Sequence, residues 1–138
     1  MTAKETLRIG NPVLSSDFKK IIKNCVLGGF RFKKDDILVL STTASSFKAS
    51  KFKDPYHFNP QRFNKDNKPT WKRMDYIPFL GGIRGCIGQY LAIMNLKIII
   101  KEFVEAFKLE DDPSFSTDIG RFPFHAMWES KVRLSLKK

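Results

Sequence analysis

The ten residues Phe79-Leu80-Gly81-Gly82-Ile83-Arg84-Gly85-Cys86-Ile87-Gly88 constrain this chain more than any other stretch. Glycines at 81, 82 and 85 precede the cysteine and one follows at 88, so backbone can run close to a flat ligand where any Cβ would collide. Cys86 is the side chain there that carries a soft donor atom. Downstream, Gln89 to Lys108 lacks Pro and Gly, and Lys97, Lys101, Glu105 and Lys108 recur at spacings of four, four and three. That pattern predicts a helix with its charges on one stripe. Cys86 then stands at a helix N-terminus, where free N–H groups and the positive end of the macrodipole favour the ionised sulfur that ligates metal. The competing reading is a glycine-rich turn around a buried structural cysteine.

The order Phe-x-x-Gly-x-Arg-x-Cys-x-Gly, with Pro78 ahead and Gln89-Tyr90-Leu91-Ala92 behind, resembles the haem-binding signature of the cytochrome P450 family, and all five fixed positions match. Two further stretches resemble the same family. Glu5-Thr6-Leu7-Arg8 matches its Glu-x-x-Arg element; the spacing i, i+3 puts both side chains on one helical face, and Pro12 follows as in the family. Asp54-Pro55-Tyr56-His57-Phe58-Asn59-Pro60-Gln61-Arg62-Phe63 is similar to its Asp-Pro-x-x-Phe-x-Pro-x-Arg-Phe segment, part of an ordered meander.

The resemblance implies an α+β fold, the C-terminal part of the mainly helical P450 architecture. Its parts would be the end of one helix, small β segments, a long ordered meander, the Cys loop, a long buried helix and a C-terminal hairpin. Residues 1–138 would form a partial domain that lacks its N-terminal portion. The implied cofactor is haem b (iron protoporphyrin IX), with Cys86 as axial iron ligand, Arg84 on a propionate and Phe79 against the sulfur side of the ring. Gly88 belongs to the same cofactor-binding set, since backbone N–H groups after Cys86 would tune the thiolate. Lys20 falls where family members place a basic propionate contact, although an exposed strand lysine is the simpler account. Glu5, Arg8 and Arg62 would form a structural triad, one carboxylate held between two guanidiniums and pinning the meander to the helix.

Along the rest of the chain, Thr2 to Ile9 reads as the tail of a helix stopped by Gly10, Asn11 and Pro12. Between Val13 and Leu40, Ile21-Ile22, Cys25-Val26-Leu27 and Ile37-Leu38-Val39-Leu40 suggest two or three strands, with Gly28-Gly29 as a turn. The stretch Gly28 to Lys34 resembles a family strand and turn without its usual Pro and second Gly. Ser41 to Ala49 reads as a short helix. Ser50 to Pro78 has no sustained periodicity. The predicted helix from Gln89 is apolar over most of its circumference and wants neighbours nearly all round, while the remaining chain offers one truncated helix and a few strands to cover it, so mass is expected to be missing; Asn95 stands where the family usually has Glu. Arg121 to Trp128 and Lys131 to Leu136 read as strands, the latter half-buried by its alternation, and Phe122, Pro123 and Phe124 are candidates to line a substrate pocket. His57 and His125 belong to no triad or metal set.

A formal charge of +11 raises the question of a nucleic-acid partner. The lysines are scattered, however, and no nucleic-acid-binding signature accompanies them, so none is expected. Lys72, Arg73, Lys97 and Lys101 flank the Cys loop or its helix, and the resemblance implies that such a basic face receives a redox partner such as a flavoprotein reductase. Neither a signal peptide nor a transmembrane segment is visible, and two distant cysteines make no disulfide framework. The expected location is the cytosolic side, or the endoplasmic reticulum membrane where a longer form carries an N-terminal anchor. The implied function is the haem-binding end of a monooxygenase that inserts one oxygen atom from O2 into a small organic substrate. No catalytic residue is identifiable, because the family's proton-relay helix is absent from these residues. The alternative is a non-catalytic remnant that at best binds haem.

Overall fold

The computed structural model describes residues 1–11, 17–67, 71–111, 119–120, 126–127 and 132–137. Phe122, Pro123, Phe124 and His125 lie outside them, as does most of the predicted strand from Arg121 to Trp128. Helix α1 spans Thr2–Ile9, the range the sequence predicts, and the Gly10 N–H closes it by donating to Thr6 O at 2.7 Å. A Cβ at Gly10 would come within 3.1 Å of that carbonyl, so the tight exit uses the missing side chain.

Four strands, more than the two or three expected, follow: β1 Asp17–Lys20, β2 Cys25–Leu27, β3 Phe30–Phe32 and β4 Ile37–Leu40. β2 and β3 form a hairpin through Gly28 and Gly29, at φ 55° and 85°, because a two-residue turn that matches strand twist needs positive φ at both positions. β1 pairs antiparallel with β4, from Asp17 opposite Leu40 to Lys20 opposite Ile37. Ile21 falls just beyond β1, where its N–H donates to Asp36 O and its carbonyl accepts from Asp35 N–H. The short helix predicted for 41–49 is α2, Thr42–Ser46, capped by Ser41 Oγ accepting from Ala44 N–H.

Residues 48–67 and 71–78 run as a meander of turns, with short 3-10 segments at Pro60–Phe63 and Arg73–Asp75. Asn59 caps the first through its side chain, with Pro60 at the opening position where its missing N–H costs nothing.

Helix α3 covers Gln89–Ala106 and so ends before Lys108. At Phe107 the chain turns extended and enters β5, Phe107–Asp111, which pairs in full with β8, Val132–Leu136. Strand pairing from a distant segment overrides the local helical pattern. Lys137 holds the switch, its N–H donating to Ala106 O and its Nζ to Val104 O, two of the helix's last carbonyls. Lys108 leaves the helical stripe and pairs with Glu110 at 3.1 Å. β6 (Ile119–Gly120) and β7 (Ala126–Met127) form a further pair, and each sheet among the described residues has two strands.

Two expectations about burial are corrected. α3 has no buried residue; its apolar side chains Tyr90, Leu91, Ile98 and Ile99 are all more than half exposed. In β8, Leu134 and Leu136 are exposed rather than half-buried, because the one partner strand pairs edge to edge and leaves the face open. The buried core lies elsewhere, around α1.

Candidate functional site

The centre of the buried core is charged. Glu5 and Arg8, one turn apart on α1, are both 0% exposed. Arg8 binds Glu5 with two prongs, Nε to Oε2 at 2.8 Å and Nη2 to Oε1 at 2.9 Å, and its third nitrogen donates to Ser46 O at 2.8 Å. Arg62 Nε reaches the same Oε1 at 3.0 Å from the meander, and the Asn59 N–H donates to it at 2.9 Å. The remaining Arg62 nitrogens donate to the carbonyls of Lys53, Asp54 and His57. Burial alone would push the Glu5 carboxyl upward. The donors from Arg8, Asn59 and Arg62, with the Arg8 charge, outweigh it and hold Glu5 below the ordinary carboxylate range. Every buried side-chain nitrogen and oxygen among the described residues has a partner, the condition under which buried charges are tolerated.

Aromatic rings wrap this cluster. The Arg8 guanidinium lies 5.4 Å from the Phe52 ring centre and 5.6 Å from that of Phe47. Phe52 stacks on Trp71, and Trp71, Phe63 and Tyr76 contact one another with ring centres 4.9 to 5.8 Å apart. Tyr76 donates its hydroxyl to Lys4 O at 2.9 Å, tying the end of the meander to α1. Burial, and then the Glu5 charge, push the Tyr76 phenol well above its ordinary value, so it remains a donor. Asn11, which sequence reading treats only as a helix stop, is also buried, with Nδ2 3.4 Å from Thr42 Oγ1. Neither Tyr76 nor Asn11 carries a local signal of its role; each is defined by a partner far along the chain.

Three residues after Tyr76 the Cys loop begins. Leu80 has φ 62°, a left-handed conformation rare for a branched side chain, and Gly82 has φ 69°. A 3-10 turn over Gly82–Arg84 follows, and the Cys86 N–H donates to Phe79 O at 2.9 Å, closing the loop on its own start. Gly88 caps α3, whose first internal bond runs from Ala92 N–H to Gly88 O at 2.9 Å. Cys86 is exposed, which removes the reading of a buried structural cysteine. Arg84 is exposed beside it, Ile83 and Ile87 stand fully out of the surface, and Phe79 is half-buried at the loop's base.

The remaining candidates are dispersed. Lys20 pairs with Asp35 at 2.8 Å on an exposed face of the first hairpin region. Lys101 is held by Glu105 and Glu102, which raise its pKa. Lys72 closes the short Arg73–Asp75 turn through its backbone N–H to Asp75 Oδ2. Arg73 and Lys97 both line a cleft of about 700 Å³ beside α1.

The donor set fits a thiolate-held prosthetic group better than a bare ion. Among the described residues no group of three or more His, Cys, Asp and Glu could hold a metal ion, so an iron held by Cys86 would need its other ligands from a macrocycle. The loop has room for one: nothing lies within 4 Å of a Cβ built at Gly81 or Gly82, and one at Gly88 would stand 3.9 Å from the Cys86 sulfur.

Comparison with known proteins decides the family. The family model for cytochrome P450 matches residues 1–125. The chain belongs to the cytochrome P450 family. Among curated P450s it is 36% identical to cytochrome P450 26A1 of Xenopus laevis over 99 residues, covering 72% of this chain and 20% of that one. With cytochrome P450 3A15 of Cavia porcellus it shares 32% identity over 107 residues, covering 78% and 21%. The chain thus spans about a fifth of the length of these relatives. Its fold matches that of the retinoic acid-bound cyanobacterial CYP120A1 with a TM-score of 0.85 at 24% identity, covering 97% of this chain and 31% of that one. The cytochrome P450DA heme domain matches equally, at 0.85 with 98% and 30% covered. The fold is therefore a partial α+β portion of the P450 architecture. No described helix is long and apolar enough to cross a membrane.

Proposed function

We propose that residues 1–138 are the C-terminal, haem-binding portion of a P450 domain and that Cys86 is the axial thiolate ligand of haem b iron. The observation that carries this is the exposed Cys86 sulfur at the start of α3, on a glycine loop closed by the Cys86 N–H to Phe79 O bond. Arg84, exposed two residues before the sulfur, offers a guanidinium to a propionate. Phe79 lies at the loop's base, and backbone donors after Cys86 moderate the thiolate's charge. Lys20, held by Asp35, is the weakest member of the set.

A haem bound there supplies electron push from sulfur toward O–O cleavage. The protein's own part is to fix the sulfur. The Glu5–Arg8–Arg62 anchor sets the meander on α1, and Tyr76 sets the end of the meander against α1, so the loop that follows starts from a fixed point. As part of a complete domain, the activity is insertion of one oxygen atom from O2 into a small organic substrate. Electrons would come from a redox partner such as a flavoprotein reductase docking on the basic face that includes Lys72, Arg73 and Lys97. The setting is the cytosolic side, or the endoplasmic reticulum membrane where a longer form carries an anchor.

Haem titration of the chain and its Cys86→Ser variant tests the ligand. The wild type is expected to give the absorption signature of sulfur-ligated iron, and Cys86→Ser to lose it. The same signature in both proteins overturns the assignment.

A further inference from the structure

Left-handed backbone is normally glycine's, yet in the Cys loop it falls one residue early. Leu80 has φ 62°, whereas its neighbour Gly81 is extended at φ −159° and ψ 171°, a conformation open to any residue. Nothing lies within 4 Å of a Cβ built on Gly81, so no neighbour demands a glycine there either. At positive φ the Cβ of a leucine crowds the following carbonyl oxygen, and such strain persists only where the surroundings impose it.

What imposes it is one peptide plane. The carbonyl of Phe79 and the N–H of Leu80 are two ends of the same peptide bond, and both are held: Phe79 O accepts from the Cys86 N–H at 2.9 Å, and the Leu80 N–H donates to Ile77 O at 3.1 Å. Turning that plane over would return Leu80 to ordinary negative φ, but only by breaking both hydrogen bonds at once. The two sides are close to balance, because the cost of a left-handed branched residue is of the same order as the net return from two neutral hydrogen bonds. Cys86 is otherwise lightly held: it is exposed, and its carbonyl accepts from Gln89 N–H at a long 3.4 Å.

We propose that the Phe79–Leu80 peptide is a two-state switch set by the strain at Leu80. In the closed state, the one seen here, the main chain of Cys86 is pinned to the start of the loop and the sulfur is fixed. In the flipped state Leu80 is relaxed and Cys86 is released. A ligand that needs the sulfur in one position draws the loop to the closed state and gives up part of its affinity in doing so. That consequence rests on Cys86 as the ligand of haem iron, whereas the flip is a property of the bare loop.

Amide hydrogen exchange in the ligand-free chain tests the flip, because the protection of an amide reports its opening equilibrium. The two clamped amides, at residues 80 and 86, are expected to change protection together. Leu80→Gly and Leu80→Asn, which accept the left-handed region, should each raise it by about threefold or more, and the stiffer Leu80→Val should lower it. Leu80→Ala keeps a Cβ and should not raise it. The Gly10 and Ala92 amides, bonded to Thr6 O and Gly88 O at helix ends, should keep their protection throughout, which separates the loop from overall stability. Without strain the expected sign is opposite, since a glycine adds freedom to the open chain. Protection at 80 and 86 that falls or stays level in the Gly and Asn variants, rises as much in Leu80→Ala, or moves only in step with Gly10 and Ala92 overturns the switch. The haem titration described above fails separately: binding that does not need Cys86 strikes the ligand assignment, while exchange in the bare loop still decides the flip.

Discussion

Around Glu5 the side chains that matter are hidden: Glu5 and Arg8 are 0% exposed and Phe52 is 1% exposed. Along α3, eighteen residues that include four Ile and two Leu, no side chain is buried. The polar region closes on itself, because its partners lie inside this chain, Arg62 reaching Glu5 across a separation of 57 residues. The apolar region has no such partners among the described residues. Hydrophobicity read along a segment therefore says that it needs cover, not that it has it, while three charged residues with complementary geometry make the true core.

The largest expected effect breaks that core. Glu5→Ala leaves two guanidiniums in place with their carboxylate gone, an uncompensated charge whose cost is about 3–5 kcal/mol. Urea unfolding followed by Trp71 fluorescence should show it; a loss under about 1 kcal/mol would mean that the cluster is ornament and the comparison false. Acid applies the same stress more gently, since a protonated Glu5 keeps its shape and an acceptor oxygen. Its folded pKa lies below the ordinary carboxylate value, so its stabilisation is complete above that value and is lost as pH falls through the folded one. Stability measured from neutral to strongly acidic pH should fall in that window for the wild type and more shallowly for Glu5→Gln. The smallest effect belongs to α3: Ile98→Ala, at a residue 51% exposed, should change stability by no more than about 0.5 kcal/mol. A loss several times greater, growing with protein concentration, would show that α3 is covered by a second copy in solution.

Much of this was legible because its causes are local. The α1 boundaries follow from Gly10 and Asn11 and the start of α3 from the glycine loop, while the turn capped by Asn59 went unread inside a stretch without periodicity. Glu5 and Arg8 share a face by spacing alone. Arg62 could be joined to them only by resemblance, since nothing local links residues 57 apart. The end of α3 at Ala106 was hidden for the same reason: its cause is β8, some 25 to 30 residues later, with Lys137 behind it. Exposure of β8 was illegible because a pattern states a preference for burial and the remaining chain decides it, whereas α3's want of cover could be read from how little else the chain offers to bury it. Tyr76 went unnoticed as a tether because its acceptor is a backbone oxygen, which no residue type announces.

Arg62 holds the meander by the backbone oxygens of Lys53, Asp54 and His57, and Arg8 holds α2 by that of Ser46. A carbonyl is the same in every amino acid. The anchor therefore reads the path of the chain rather than the letters along it, and what restricts the side chains between Lys53 and Asn59 is local: the burial of Pro55 and the positive φ of 48° at Asp54. A mutational scan should find the meander tolerant at exposed positions such as Lys53 and Tyr56 and intolerant at Arg8 and Arg62. Inheritance of shape has here been separated from inheritance of sequence, by entrusting the first to two guanidinium groups.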